Sequence, residues 1–578
     1  MAERLKTHIK MQHSDSDKLI IYQLFPRLFT NTNENCVPHG SLQENGSGKF
    51  NDISLKVLKS IRDLGVNCMW YTGIVEHATA TDYSEYGIEK DNPSVVKGKA
   101  GSPYAIKDYF DVDPDLAEDV PNRMEEFKAL IERTHKAGMK VLIDFVPNHT
   151  ARRYHSDKAP AGISDFGASD DTTMHFAPGN NYYYMTDQRF CPHFDCGDYY
   201  EFPAKATGND CFSAFPGEYD WYETVKLNYG HDYGDNSNHF DPIPDTWLKM
   251  TAVLRYWAAM GVDGFRCDMV FMVPLEFWHY AIGEVKKDYP NVLFIGEIYD
   301  VSLYRPFLDY GRFDYLYDKA NLYDTLRGVE VANISAAKLT GCWQTVDGIG
   351  EKMLNFLENH DEVRFGSIEY AGNPSLVIPS LVVSAMINRG PMMIYYGQEL
   401  GECASDNEGF AGNNNRTTIF DYWSLSTLRR WYNNGKADGA SLSEQERWLR
   451  SVYSKVLHIC NAEKAISLGS FFDLMYVNLN NPDFDPHRQF VFLRHYAGET
   501  LLIAVNFADY DAQVKINIPD AAFDYLNINE GEGVCTELLT GKRKKKILSR
   551  TKPFSTSIGA HNAVIWKMRH NSLSQIKK

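Results

Sequence analysis

No stretch of this chain is long and apolar enough to cross a bilayer. The most apolar run, Leu376–Ile387, is short and carries Pro379 and Ser380. The N-terminal segment MAERLKTHIKMQHSD has charge but no apolar centre, so no signal peptide is expected. Cysteine is sparse, ten in 578 residues, which excludes a disulfide scaffold. With no leader as written and no paired cysteine pattern, the expectation is a cytoplasmic protein, or a periplasmic or secreted one if a leader was removed. Basic charge is also short. Lys and Arg number 59 against 76 Asp and Glu, a net charge of −17, which speaks against a broad nucleic-acid face. The one basic run, Lys542–Lys546, is expected as a solvated turn between strands. There is no internal repeat at a period of about 20–50 residues.

What is present is a globular composition. Hydrophobic residues make up 44% and charged residues 23%, so disorder is excluded. The aromatic share is 13%, with 35 Tyr, 32 Phe and 10 Trp, more than a core demands. At about 150 residues per domain the length suggests roughly four domains, but one α/β barrel absorbs about 250 residues by itself. Cys191, His193, Cys196 and Cys211 form the one dense group of soft ligands. They are expected as free thiols in a loop, with zinc or a disulfide as the alternatives.

Eight short β-branched or aromatic runs alternate with helical patterns. They are Leu19–Phe25, Val66–Tyr71, Lys140–Val146, Val262–Asp268, Asn291–Glu297, Phe313–Tyr317, Met353–Glu358 and Pro391–Glu399. Asn122 and Glu125 have the spacing of a capping box before an apolar face of Met124, Phe127, Leu130 and Ile131. Asp245 is expected to cap a second helix that carries Trp247, Met250, Leu254 and Trp257 and ends at Gly261. Eight such units predict an α/β fold, a (β/α)8 TIM barrel. Two regions break the alternation. A stretch rich in Gly, Asp, Asn and Tyr follows the third strand and reads as an inserted domain. After Lys464 only strands appear, at Phe490–His495, Thr500–Phe507, Gln513–Ile518 and Ala563–Met568, which predicts a C-terminal antiparallel β-sandwich. The predicted organisation is barrel over 1–149, insert over 150–243, barrel again over 244–463 and sandwich over 464–578.

Active residues of such a barrel sit at the C-terminal ends of its strands, where charge has no packing reason to exist. Here the third strand ends in Asp144, Asn148 and His149, the fourth in Arg266 and Asp268, the fifth in Glu297, the seventh in His360 and Asp361. A strand has a period of two, so Arg266 and Asp268 point the same way and Cys267 away. Arg266 is then expected to hold Asp268 ionised, as a nucleophile requires. Glu297 follows Phe294 and Ile295, an apolar surround expected to raise its carboxyl and suit a general acid. One lowered and one raised carboxyl divide the work of glycoside hydrolysis. Asp361 is a third carboxylate, placed to stabilise positive charge. A metal-dependent hydrolase would need more histidine near the first strand, which shows only Gln23, Pro26 and Arg27.

In their order and on these strands, IIYQLFPRLF, SPYAIKDYFDVDP, DFVPNH, VKLN, GFRCD, FIGE, ENHD and GPMMIYYGQELG resemble the conserved blocks of the α-amylase family, glycoside hydrolase family 13. The resemblance implies retaining cleavage of α-glucosidic bonds in starch-derived α-glucans or maltooligosaccharides. It implies Asp268 as nucleophile, Glu297 as acid/base and Asp361 as transition-state stabiliser. Arg266, His149 and His360 match residues around the first sugar ring, and Tyr104 matches the aromatic that stacks on it. Tyr182, Tyr183, Tyr184, Tyr199 and Tyr200 of the insert are expected to wall further subsites. Asn148 matches a calcium ligand of many members, which admits a structural calcium there, and none is needed for the chemistry. The loop His231–Asp235 offers Asp232 and Asp235 either as calcium ligands or as a turn.

Many relatives carry Lys-His three and four residues after the nucleophile, on the leaving-group side. This chain has Phe271 and Met272 there. That departure points away from an ordinary endo-acting amylase. It leaves a cyclomaltodextrinase or neopullulanase-like activity, or glucanotransfer, as the alternative. A binding homologue without chemistry would have no use for three clustered carboxylates.

Overall fold

All eight predicted runs are strands in the computed structural model, which describes residues 18–569, and they close into one barrel. The strands are Ile20–Leu24, Cys68–Tyr71, Lys140–Phe145, Gly264–Cys267, Leu293–Gly296, Tyr315–Tyr317, Met353–Phe356 and Met392–Tyr395. Each pairs in parallel with its neighbours in chain order, and the first also pairs with the last, as in Ile20↔Met392. Parallel strands covered on both faces need continuous apolar runs rather than alternation, and these runs are buried along nearly their whole length. The N-terminal segment 1–17, expected to hold no signal peptide, lies outside the described residues. Among the described residues no helix is long and apolar enough to cross a membrane.

The helices cover the barrel by their apolar faces. Arg123–Lys136 buries Phe127, Leu130 and Ile131, and Asp245–Met260 buries Trp247, Met250, Leu254 and Trp257. Phe127 and Trp257 meet edge to face at 5.9 Å, which joins the two helices. Gly261 ends the second helix in the left-handed conformation at φ 104°. Both N-termini differ from the expected caps. Asn122 makes no capping hydrogen bond, because it closes a 3-10 turn over Val120–Asn122 and lacks the extended backbone a cap requires. Glu126 instead accepts the free N–H groups of Glu118 and Asp119 at 3.0 and 2.8 Å. Asp245 is the first helical residue rather than the cap, and it pairs with Lys249 one turn on at 2.8 Å.

The segment after the third strand is a set of short ladders, His149–Ala151 with Thr224–Lys226, Tyr184–Met185 with Ala204–Lys205, and His231–Asp232 with Ser237–Asn238. The C-terminal region has two antiparallel sheets, one of six strands and one of two. The basic run departs from the expected turn. Arg543–Leu548 is an edge strand paired with Gly531–Glu537, and the Lys546 ammonium lies 4.6 Å from the Trp566 ring centroid. Charge on an edge strand blocks pairing with another chain.

Candidate active site

The strand ladder itself brings the fourth and fifth strand ends together. Cys267 pairs with Phe145 on one side and Gly296 on the other, so Asp268 and Glu297, one residue beyond, emerge at the same level. Asp268 N–H donates to Phe145 O at 2.9 Å and Glu297 N–H to Cys267 O at 3.0 Å, which fixes both backbones. Met269 then turns at φ 42°, a strained value for a residue with a side chain, and its N–H donates to Glu297 Oε2 at 2.9 Å.

Arg266 is 1% exposed and sits beneath three carboxylates. Its Nη1 lies 2.7 Å from Asp268 Oδ1 and 3.4 Å from Asp144 Oδ1, and its Nη2 lies 2.6 Å from Glu297 Oε1. The Trp70 and Tyr104 rings each lie 5.4 Å from the guanidinium carbon, closing it off from water. Burial pushes the Asp268 carboxyl well above the usual range. Arg266 pulls it down, and Glu297, Asp361 and Asp144 push it up again. The expected lowering of Asp268 is therefore corrected, because burial outweighs a guanidinium that is shared among three carboxylates. Asp144 is likewise raised by burial, to about 6.

The surround of Glu297 also differs from the apolar one expected. Its carboxylate accepts from Tyr299 Oη at 2.6 Å and from Met269 N–H, and it is ion-paired with Arg266. Asp361 stands at the open side, its side chain 42% exposed, with Oδ2 3.2 Å from His360 Nε2. Gln23 Nε2 donates to His360 Nδ1 at 2.9 Å, which assigns the ring proton to Nε2, beside Tyr104 Oη at 2.5 Å. Tyr104 stacks on His360 with centroids 5.1 Å apart. Burial lowers His149 and His360 to about 3, so both are neutral hydrogen-bonding groups at ordinary pH.

The structure thus joins Tyr104, Arg266, Asp268, Glu297, His360 and Asp361 in one contact network. His149 is buried beside it, its ring 5.4 Å from Trp221. Phe271 lies 6.2 Å from Tyr299, and Met272 shares a cavity of about 370 Å3 with Phe271, Tyr183, Tyr233, Leu303 and Phe307. Sequence reasoning missed Tyr299, although two residues after Glu297 is the spacing of one strand face. It also missed the role of Gln23, which lies on the first strand and whose partner is far along the chain.

Four further expectations are resolved by position. Asn148 does not fit a calcium ion. Its Oδ1 accepts from Lys226 Nζ at 2.5 Å and its Nδ2 donates to Gly208 O at 2.7 Å. Lys226 Nζ also meets Asp210 at 2.7 Å and Met272 O at 3.1 Å. A side-chain ammonium with three oxygen partners stands where a cation would, so the expected metal role of Asn148 is corrected. Asp232 and Asp235 cap turns through Gly234 N–H and Ser237 N–H, the turn reading of that loop. Cys191, Cys196 and Cys211 are free thiols, and they and His193 do not converge on a metal position among the described residues. Of the five tyrosines expected as subsite walls, Tyr182, Tyr183 and Tyr184 are core of the insert, and Tyr200 alone is largely open, 67% exposed.

A barrel with carboxylates on three strand ends around a buried arginine is the construction of a barrel glycosidase. The sequence profile of the α-amylase catalytic domain matches residues 23–468, so the chain belongs to the α-amylase family. An α-amylase of Streptomyces lividans is 26% identical over 380 residues, 60% of this chain and 39% of that one. A cyclomaltodextrinase of Thermoanaerobacter pseudethanolicus is 21% identical over 529 residues, 88% of this chain and 74% of that one. The chain therefore spans well under half of the first relative and about three quarters of the second. The solved α-amylase of Geobacillus thermoleovorans, complexed with acarbose, shares the fold at a TM-score of 0.63 and 18% identity, over 96% of this chain and 99% of that one.

Proposed function

We propose that the chain is a retaining hydrolase of α-glucosidic bonds in starch-derived α-glucans and maltooligosaccharides. The observation that carries this reading is the single guanidinium of Arg266 holding both Asp268 and Glu297 at adjacent strand ends. Carboxylates that share one guanidinium favour the ~5–5.5 Å separation of retaining enzymes over the ~6.5–9.5 Å of inverting ones. Asp268 attacks the anomeric carbon as its bond to the leaving oxygen breaks, and Glu297 gives its proton to that oxygen. Water then adds to the same carbon and gives a proton to Glu297, and the bond to Asp268 breaks. Asp361, at the rim, hydrogen-bonds ring hydroxyls and stabilises the positive charge of the transition state. Neutral His149 and His360 bind hydroxyls, and Tyr104 offers a ring face to the sugar.

Within that class the reading is a short-substrate enzyme, acting on maltooligosaccharides or cyclodextrins. Phe271 and Met272 put apolar side chains into a cavity that Tyr233, Leu303 and Phe307 share with Lys226, His231 and Glu276. The same apolar wall favours glucanotransfer as a second activity, because it seats an acceptor sugar and excludes water. A product profile on amylose, pullulan, cyclodextrin and maltotriose tests both: shorter products alone mean hydrolysis, and longer ones at high sugar mean transfer. Asp268→Asn is expected to lower kcat by about 10^4-fold or more. Full activity of that variant on maltotriose sinks the proposal.

A further inference from the structure

Among the described residues, the one side-chain hydrogen bond that Glu297 accepts comes from Tyr299. The Tyr299 hydroxyl donates to Glu297 Oε1 at 2.6 Å. Arg266 Nη2 lies as close to the same oxygen, but it is buried without a hydrogen-bond partner, so it supplies charge and not direction. The other oxygen, Oε2, accepts from Met269 N–H at 2.9 Å.

Tyr299 is itself held from two sides. Phe271 packs against it with ring centroids 6.2 Å apart. The Lys319 ammonium lies 5.9 Å from its ring centroid. Lys319 opens a π-helical turn, Lys319–Tyr323, after the sixth strand, and is anchored by Asp324 at 3.0 Å and Glu362 at 3.4 Å. Glu362, next to Asp361, also accepts from Tyr323 Oη at 3.1 Å. Segments that follow the fourth, sixth and seventh strands thus converge around one ring. Burial and the carboxylates of Glu297 and Asp361 push the Tyr299 hydroxyl up from its ordinary value, so it keeps its proton and donates throughout the range where activity is assayed.

We propose that Tyr299 is a positioning residue for the acid/base: its hydroxyl holds Glu297 Oε1, so that the proton to be transferred rests on Oε2. This rests on the reading of Glu297 as acid/base given above. An oxygen that faces both a hydroxyl donor and a guanidinium has no room for a proton of its own, whereas Oε2 faces one backbone N–H. The carboxyl group is thereby fixed in one orientation toward the leaving oxygen. When the proton passes from Oε2 to that oxygen, the hydroxyl and the guanidinium stabilise the carboxylate that remains. Without the hydroxyl, nothing directional holds Oε1.

Tyr299→Phe tests this, because it removes the hydroxyl and keeps the ring between Phe271 and Lys319. Two substrates isolate the acid step. The leaving sugar of maltotriose needs a proton, and the fluoride of α-maltosyl fluoride departs as a stable anion. The comparison uses kcat/KM, which reports the steps through bond cleavage and not the later work of Glu297 as base. On maltotriose kcat/KM is expected to fall by about tenfold to a hundredfold, the worth of a hydrogen bond to a charged group. On α-maltosyl fluoride it is expected to fall by less than about twofold. The ratio of the two does not depend on how much of the variant is folded. The alkaline limb of kcat/KM on maltotriose is expected to move to higher pH, since a carboxyl that loses a donor to its ionised form keeps its proton longer. Equal losses on the two substrates, or no loss on either, overturn the positioning role, as does an alkaline limb that stays in place or moves down. A parent protein that cleaves neither substrate refutes the glucosidase reading itself, and the role of Tyr299 falls with it.

Discussion

Arg266 Nη1 and Asp268 Oδ1 lie 2.7 Å apart, and the other end of the same guanidinium reaches Glu297 at 2.6 Å. Two carboxylates with different tasks are thereby held in a fixed relation by one planar group, which a lysine ammonium cannot reproduce. Arg266→Lys is expected to lower kcat/KM on maltotriose by about 10^2-fold or more, since it keeps the charge and loses one of the two contacts. Arg266→Met leaves buried carboxylates unpaired and is expected to cost about 3–5 kcal/mol of stability. Urea denaturation and steady-state kinetics read both effects. A lysine variant with parental kinetics would show that the fork geometry does not matter.

Lys226 makes a second prediction. Its ammonium occupies the space between Asn148 Oδ1 and Asp210 and donates to Met272 O. K226D removes the ammonium and adds a third oxygen ligand beside Asn148 and Asp210. The variant is expected to be less stable than the parent without metal. It is expected to gain a calcium-dependent rise in melting temperature, because the introduced carboxylate joins Asn148 Oδ1 and Asp210 as oxygen ligands and water completes the shell. Melting curves with chelator and with calcium measure this. No added calcium response in the variant refutes the idea that the ammonium stands in for a cation.

His149 and His360 set a pH prediction. Both are lowered from 6.5 to about 3 by burial, so neither changes charge in the range where activity is assayed. The acid limb of kcat/KM between about pH 4 and 6 therefore belongs to the carboxylates. His360→Asn is expected to lower kcat/KM by about tenfold to a hundredfold through lost hydrogen bonds and leave the midpoint of that limb in place. The stability consequence has the same origin. The unfolded chain takes up a proton on each histidine below 6.5 and the folded chain does not until about 3, so acid destabilises the fold through that window. A midpoint that moves with His360→Asn contradicts the assignment.

The barrel was legible because buried parallel strands must be apolar on both faces, so each one stands out as a run with a charged residue at its end. Arg266, Asp268 and Glu297 were legible for the same reason, since charge at a strand end has no packing role. What was not legible depended on pairings far apart in sequence. Lys226 finds Asn148 across 78 residues, and Gln23 finds His360 across 337. Nor does spacing reveal backbone conformation. Asn122 has the residue type and spacing of a cap, but the 3-10 turn it closes takes away the geometry. Lys542–Lys546 has the charge of a loop, yet strand pairing with Gly531–Glu537 claims most of it.

Phe271 and Met272 bear on what the enzyme cleaves. They follow Asp268 on a 3-10 turn, Val270–Met272, and share a cavity with Tyr233, Leu303 and Phe307 as well as Lys226, His231 and Glu276. An apolar wall holds a leaving sugar by its flat face and by excluding water, with few directional contacts. On the proposed reading, each added sugar unit along a long chain contributes little, and short and cyclic substrates compete well. Replacing both with charged and polar donors, Phe271→Lys with Met272→His, supplies groups that hydrogen-bond successive hydroxyls. The double variant is expected to raise kcat/KM on amylose relative to cyclodextrin by about tenfold, the worth of one hydrogen bond to a charged group. It is also expected to yield less transfer product at high maltotriose, because water gains entry beside the new polar groups. Ratios of kcat/KM for the two substrates, measured on parent and variant with the Asp268→Asn background as blank, decide it. An unchanged ratio would mean that chain-length preference is set elsewhere, in the loops of the insert.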